Sequence, residues 1–291
     1  SRKMPVSEGP EAVLDAVVEL GAGLLEQSGH GAGDLLAIGV GVPGPVEHST
    51  GRPINPPIMP GWHGFDVPGY LHGHFGVPVL VDNDVNVMSV GERAAAWPGV
   101  ENLIFVKVAT GIGAGIICNG MLLRGADGVA GDIGHIRVPH GAELLCRCGN
   151  FGCLEAVAAG PAVALKLRTS GHSVADSLDV VALVRQGDRE ALQLVRQAGR
   201  DVGEVLSACL SMMNPAVIVI GGSMALTGEH FIAGVREVIY SRTMPLATQH
   251  LQVVQSVSGL DAGIVGAGVL AIQHALSPES IDAMLAARAG A

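Results

Sequence analysis

Residues 131–155 read GDIGHIRVPHGAELLCRCGNFGCLE. Within them lie His135, Cys146, Cys148 and Cys153, four good zinc ligands in nineteen residues, flanked by the carboxylates of Asp132 and Glu155. Three of the chain's five cysteines fall here, and cysteines clustered in a reduced protein point to metal binding or catalysis. A structural zinc ion prefers a closed tetrahedron of thiolate and imidazole ligands. Cys146 and Cys148 are one residue apart, and Gly149 and Gly152 let the chain double back so that Cys153 reaches the same ion. His135 supplies the fourth ligand from the preceding segment. A Cys₃His set fills the shell, so this zinc would brace a loop and would not activate water. The bland alternative is three free thiols beside an unrelated histidine. A Cys146–Cys148 disulfide is disfavoured, because one intervening residue strains its geometry.

The same stretch carries a resemblance. GDIGH followed by CRCGNFGCLE resembles the paired signature of the ROK family of repressors and sugar kinases: Glu-x-Gly-His, then Cys-x-Cys-Gly-x-x-Gly-Cys-x-Glu. Every fixed position matches except the first, where Asp132 stands for Glu. The resemblance runs over nearly the whole chain. It implies an α/β protein with the two-lobed sugar kinase–actin–Hsp70-like (ribonuclease H-like) fold, its N-terminal hairpin absent. It also implies a small sugar-binding lobe over residues 1–97, joined by a C-terminal helix over 263–291. A large lobe over 98–262 would hold the zinc loop and nucleotide-like motifs.

Composition agrees with that class. With 291 residues the chain can bury one or two cores. A hydrophobic content of 48% with 42 glycines and 3% aromatics fits an α/β protein with many tight turns. No uninterrupted apolar run reaches membrane-spanning length and no signal peptide opens the chain, so cytoplasm is the expected compartment and no membrane partner is expected. The formal charge is −10 with no Lys/Arg cluster, which argues against nucleic-acid binding by this segment itself.

Working outward, periodicity predicts a helix over residues 10–27, with Pro10 in its first turn. A doubly buried strand is predicted over 35–42, followed by a turn-rich segment. A short helical piece at 71–75 and a strand at 77–81 lead to Asp82-Asn83-Asp84-Val85-Asn86. Ligand groups sit at the carboxyl ends of strands in open α/β sheets. Asn83 offers a donor and an acceptor, and Asp84 can take a proton, so the pair suits a polyhydroxyl ligand. Capping of a helix over 85–97 is the competing role, and the two are compatible. After a strand at 103–108 comes ATGIGAGI, then a hairpin signal at Asn119-Gly120. A strand follows these glycines, so this is not the dinucleotide fingerprint; it is either a phosphate-approaching turn or a tight hairpin. Helices are predicted over 155–167 and 170–208, with a break at Gly187. A strand over 217–220 ends in Gly221-Gly222, either a nucleotide-facing helix start or a close-packed turn. Helix 230–240, strand 251–256, helix 263–276 and a fraying tail complete the chain.

The family resemblance assigns roles to these residues. Asp84 matches the catalytic base that removes the proton from a hexose 6-hydroxyl. Asn83, Asp84, Asp132, His135 and Glu155 match sugar contacts, and the zinc-bound His135 would turn its other nitrogen to the sugar. Thr110, Gly111 and Gly113 match the second phosphate loop, and Gly221 and Gly222 the adenosine motif. The turn-rich segment after the strand at 35–42 matches a Gly-x-Pro-Gly loop near the sugar, and Asn55 with Gly61-Trp62 resembles the family's Asn-x-Pro-Gly-Trp stretch with extra residues inserted, with simple packing as the alternative for Trp62. The Asp-x-Gly-x-Thr motif of ATP-using members is missing from the 291 residues, so ATP and magnesium enter only on a kinase reading. The wording DNDVNVMSVGE, FVKVATGIGAGI and GDIGHI resembles the regulator branch of the family. The first expectation is therefore the carbohydrate-sensing effector domain of a repressor, homo-oligomeric by resemblance, touching DNA only through an upstream domain. The alternative is an ATP-dependent hexose kinase.

Overall fold

A computed structural model of the chain describes residues 2 and 4–289, with side chains through residue 286. In order, the chain forms α1 (Pro10–Ser28), β1 (Ile38–Val42), β2 (Val46–Glu47), β3 (Arg52–Pro53), α2 (Val67–Phe75), β4 (Val79–Asn83) and α3 (Asp84–Ala96). There follow β5 (Leu103–Val108), β6 (Ile112–Cys118), β7 (Met121–Leu123), α4 (Leu154–Ala158), α5 (Gly160–Thr169), α6 (Ser177–Arg185) and α7 (Arg189–Met213). The last elements are β8 (Val217–Gly221), α8 (Glu229–Arg242), α9 (Pro245–Thr248), β9 (Gln252–Gln255), α10 (Asp261–Ala275) and α11 (Pro278–Ala289). The chain divides into two compact units: Ser1–Ala94 with Arg124–Val129 and Asp261–Ala291, and Ala95–Leu123 with Ala130–Leu260.

In the first unit β1 and β4 pair in parallel, Ile38 opposite Val79 through Val42 opposite Asn83. The doubly buried strand expected over 35–42 is shorter and only half-buried, with Val42 alone fully covered, because β4 is its one partner strand among the described residues. Trp62 packs in this unit's core with Met59, Val67 and Leu71 and donates its indole N–H to the Val6 carbonyl at 2.9 Å. Packing and one buried hydrogen bond account for Trp62. Helices α3 and α10 lie backbone to backbone: a methyl at Gly266 would stand 1.8 Å from the Val87 carbonyl oxygen. That contact explains why α10 carries glycine at 266.

The second unit holds a five-stranded sheet in the order β7-β6-β5-β8-β9. β5, β8 and β9 are parallel, while β6 runs antiparallel to both of its neighbours, β5 and β7. β5 and β8 are buried almost throughout, which is why both read as continuous apolar runs. Two sequence expectations need correction here. The single helix predicted over 155–167 is two helices, because Pro161 follows a junction at which the Gly160 N–H donates to the Ala109 carbonyl at 2.9 Å. The helix predicted from residue 170 begins only at Ser177, where Asp176 caps it through the N–H groups of Leu178 and Asp179. In the first unit, most of the tail predicted to fray is the helix α11; only residues 290 and 291 lie outside the described residues.

Candidate functional site

The loop between β7 and α4 brings His135, Cys146, Cys148 and Cys153 together, with all four ligand atoms within 4.8 Å of one another. His135 ends a short 3-10 turn, Ile133–His135. The loop then folds back through two isolated bridges, Arg137 to Cys153 and Leu145 to Phe151. Gly149 and Gly152 take φ of +90° and +76° at the reversal, a conformation that glycine adopts without strain. Cys146 Sγ lies 3.6 Å from His135 Nδ1, and Cys148 Sγ lies 3.7 Å from Cys153 Sγ. Tetrahedral bonds of ~2.3 Å to sulfur and ~2.0 Å to nitrogen require edges of about 3.8 and 3.5 Å, so the group fits a small divalent ion.

The thiols differ in a way that a cation would resolve. Burial pushes Cys153 up to about 12 and also raises Cys146, whereas the backbone N–H of Asn150 leads the groups that draw exposed Cys148 down to about 7. Metal binding requires thiolates and displaces their protons. On the other side of the imidazole, His135 Nε2 faces the Asp132 carboxylate at 4.0 Å. The loop's middle is anchored by His140, whose Nδ1 lies 3.1 Å from both carboxylate oxygens of Asp201, a residue buried in α7 and also bound by Gln197 at 3.0 Å.

Asn83 ends β4 and Asp84 begins α3. The Asn83 side chain donates to the Gly44 carbonyl at 2.8 Å and accepts from the Val85 N–H at 2.9 Å, so it caps α3 and ties the strand end to the loop after β1. Before it, buried Asp82 accepts from the Asn83 N–H and Asn86 Nδ2, each at 2.8 Å, and from Arg124 Nε at 2.7 Å. Sequence reasoning missed Arg124, Asp201 and His140, which have no motif spacing to mark them.

The glycine loops are tightly occupied by the protein itself. Glu155 Oε2 accepts from the Ile112 N–H at 3.2 Å, and a methyl on Gly111 would stand 2.6 Å from that oxygen. The Thr110 carbonyl accepts from Arg147 Nη2 at 3.4 Å, and Gly113 pairs with Lys107 across the β5–β6 hairpin. A methyl on Gly221 would meet the Phe105 ring at 2.4 Å, and one on Gly222 the Val108 carbonyl oxygen at 2.4 Å. Close packing is thus sufficient reason for glycine at 111, 221 and 222. Within the second unit the structure brings Asp132, His135 and the three cysteines into one cluster and sets Glu155 against the Gly111 turn; Asn83 and Asp84 adjoin in the first unit.

A model of the ROK family matches residues 1–274. A glucokinase of Halalkalibacterium halodurans is 32% identical, covering 87% of this chain and 81% of its own length. A xylose repressor of Caldicellulosiruptor bescii is 28% identical, covering 94% of this chain and 72% of its own. Among solved structures, a ROK-family glucokinase of Streptomyces griseus in complex with glucose and AMPPNP matches with a TM-score of 0.78 at 31% identity, over 91% of this chain and 89% of that one. The fold is therefore the α/β sugar kinase–actin–Hsp70 class that the signature implied. No helix among the described residues is long and apolar enough to cross a membrane.

Proposed function

Because this chain belongs to the ROK family, whose matched members include glucokinases and xylose repressors, we propose that it binds a sugar and serves as the carbohydrate-sensing part of a transcriptional regulator. Asn83, Asp84, Asp132, His135 and Glu155 are the sugar contacts. Zinc, the ion suited to a Cys₃His donor set, is held by His135, Cys146, Cys148 and Cys153. The observation that carries this reading is the orientation of His135, with Nδ1 toward the thiols and Nε2 toward Asp132. A metal-bound histidine offers its second nitrogen as a fixed donor, and a donor beside a carboxylate is what a sugar hydroxyl recognises. The ion itself stays structural, since its four protein ligands leave no open position for water or sugar.

Two features support sensing over phosphoryl transfer. The Glu155 carboxylate already holds the Ile112 N–H, at the turn where a phosphate would need free backbone amides. Asp132 is also one methylene shorter than the glutamate it replaces in the signature. DNA would be contacted by a segment outside these 291 residues, since a formal charge of −10 opposes binding to phosphates. The glucokinase relative at 32% identity keeps a second reading in play. In it Asp84 takes the proton from a sugar hydroxyl, and Thr110, Gly111, Gly113, Gly221 and Gly222 face ATP and magnesium.

Titration calorimetry of the zinc-replete protein with glucose, xylose, mannose and N-acetylglucosamine tests the proposal, with the same sugars then incubated with ATP and magnesium. Binding of a sugar without sugar phosphate is expected. Turnover would move the assignment to a kinase, and silence toward every sugar would remove the sugar-binding reading.

A further inference from the structure

We propose that Arg124 is a positioning residue for the Asn83–Asp84 pair, acting through the buried carboxylate of Asp82. The inference rests on the sugar contacts proposed above. Arg124 Nε meets Asp82 Oδ2 at 2.7 Å, with side-chain exposures of 24% and 8%. That contact leaves Oδ1 to accept from the Asn83 N–H and from Asn86 Nδ2, each at 2.8 Å. One carboxylate therefore fixes both the last peptide of β4 and the first turn of α3, and Asp84 lies between them. Asn83 completes the clamp by binding the Gly44 carbonyl and the Val85 N–H.

Arg124 is itself held. It opens the Arg124–Val129 segment, which belongs to the first unit although it directly follows β7. At the far end of the segment Gly128 has φ +89°, and a methyl there would stand 2.5 Å from the Val46 carbonyl oxygen. Gly128 is buried against β2 and so fixes the far end of the segment that begins with Arg124. Neighbouring His48 is kept below its usual range by burial first and by the Arg124 charge second, against the opposing pull of Asp82. A partly buried arginine that holds a carboxylate by one short bond, which in turn holds two backbone-proximal donors, is a lever on the adjacent side chain: without it, the stranded Asp82 carboxylate would pull on Asn83 and Asn86 alone.

The test compares sugar affinity by calorimetry, and amide hydrogen exchange of residues 83–86, in wild type, Arg124→Met, the double variant Arg124→Met/Asp82→Asn, and a control, Arg236→Met. The control removes a part-buried arginine that binds the Val253 carbonyl in the second unit. Arg124→Met is expected to weaken sugar binding by about 10- to 100-fold and to speed exchange at residues 83–86. The double variant strands no charge and should recover most of both losses, while the control changes neither. Wild-type affinity and exchange in Arg124→Met would overturn the proposal, as would an equal loss of affinity in the control. A wild type that binds no sugar would refute the sugar site on which the proposal rests. The exchange data would then still decide whether Arg124 orders the Asn83–Asp84 turn, and unchanged exchange would remove that part too.

Discussion

Cys148→Ser is the sharpest probe of the metal-capable loop. Cys148 is exposed, whereas Cys146 and Cys153 keep only 4% and 1% of their surface. Replacing Cys148 therefore opens no void, and any effect reports the ion. Four-ligand structural zinc sites are worth about 10–16 kcal/mol at neutral pH. An even division gives roughly 3 kcal/mol per ligand, which corresponds to about 100-fold weaker binding. A serine hydroxyl does not replace the thiolate, since it stays protonated near neutrality. With free metal in excess, a 100-fold loss of affinity lowers stability by about 2.7 kcal/mol. The measurements are zinc per chain by elemental analysis after gel filtration, competition against a colorimetric chelator, and thermal unfolding with and without chelator. Wild type should retain one zinc and lose thermal stability when chelated. Cys148→Ser should yield its zinc about 100-fold more readily in the chelator competition, and its zinc-loaded form should unfold between wild type and chelated wild type. Cys209→Ser, in α7 outside the cluster, should keep wild-type zinc. Full zinc content and chelator resistance in Cys148→Ser would refute the ligand assignment.

Other outcomes follow from the same geometry. Asp84→Asn should weaken sugar binding by about 10-fold in calorimetry and abolish any sugar phosphate formed; unchanged affinity would remove Asp84 from the site. Glu155→Ala frees the Ile112 N–H and should cost about 1–3 kcal/mol in chemical denaturation. Gly199→Ala would set a methyl 2.2 Å from the Phe231 carbonyl oxygen, forcing α7 away from α8 at a cost of about 1–3 kcal/mol, read as a lower unfolding midpoint. Asp188 caps α7 through the Ala191 N–H, and that bond, followed by its contact with His172, holds its carboxyl below the usual range. Because the folded pKa is the lower one, this contribution is complete above the unfolded value of 3.8 and is lost as pH falls through the folded value. Asp188→Asn should flatten the acid limb of a plot of melting temperature against pH, while its amide still caps the helix.

The parts of the fold legible in the sequence were those set by local pattern. The strand expected after the ATGIGAGI glycines is β6, which already begins at Ile112 and takes Gly113 and Gly115 into its pairing, and the Asn119-Gly120 signal joins β6 to β7. The metal-capable set was legible because its four residues lie within one short loop that glycines reverse. What stayed hidden depends on partners distant in sequence. The break at Ala159 is set where Gly160 meets the Ala109 carbonyl, a contact that helical periodicity cannot register. Arg124 reaches back to Asp82, and His140 forward to Asp201, with no spacing rule to announce either pair. Glycines 221 and 222 carried a ligand signal and a packing signal in the same letters, and only the positions of Phe105 and Val108 reveal the second.

The division of the chain also bears on the order in which it can fold as it leaves the ribosome. The second unit is nearly continuous, Ala95–Leu123 and Ala130–Leu260, so its sheet can close once β9 emerges. The first unit draws on the residues before Ala95, yet Gly39 of β1 packs on the backbone of Ala267, and Gly91 of α3 packs on Ala262. That strand and helix must therefore wait, uncovered on the α10 side, until residues 261–275 have been made. Such exposure invites association between nascent chains. Truncation before Asp261 would leave the first unit without its closing helix, while the second unit keeps every strand it needs.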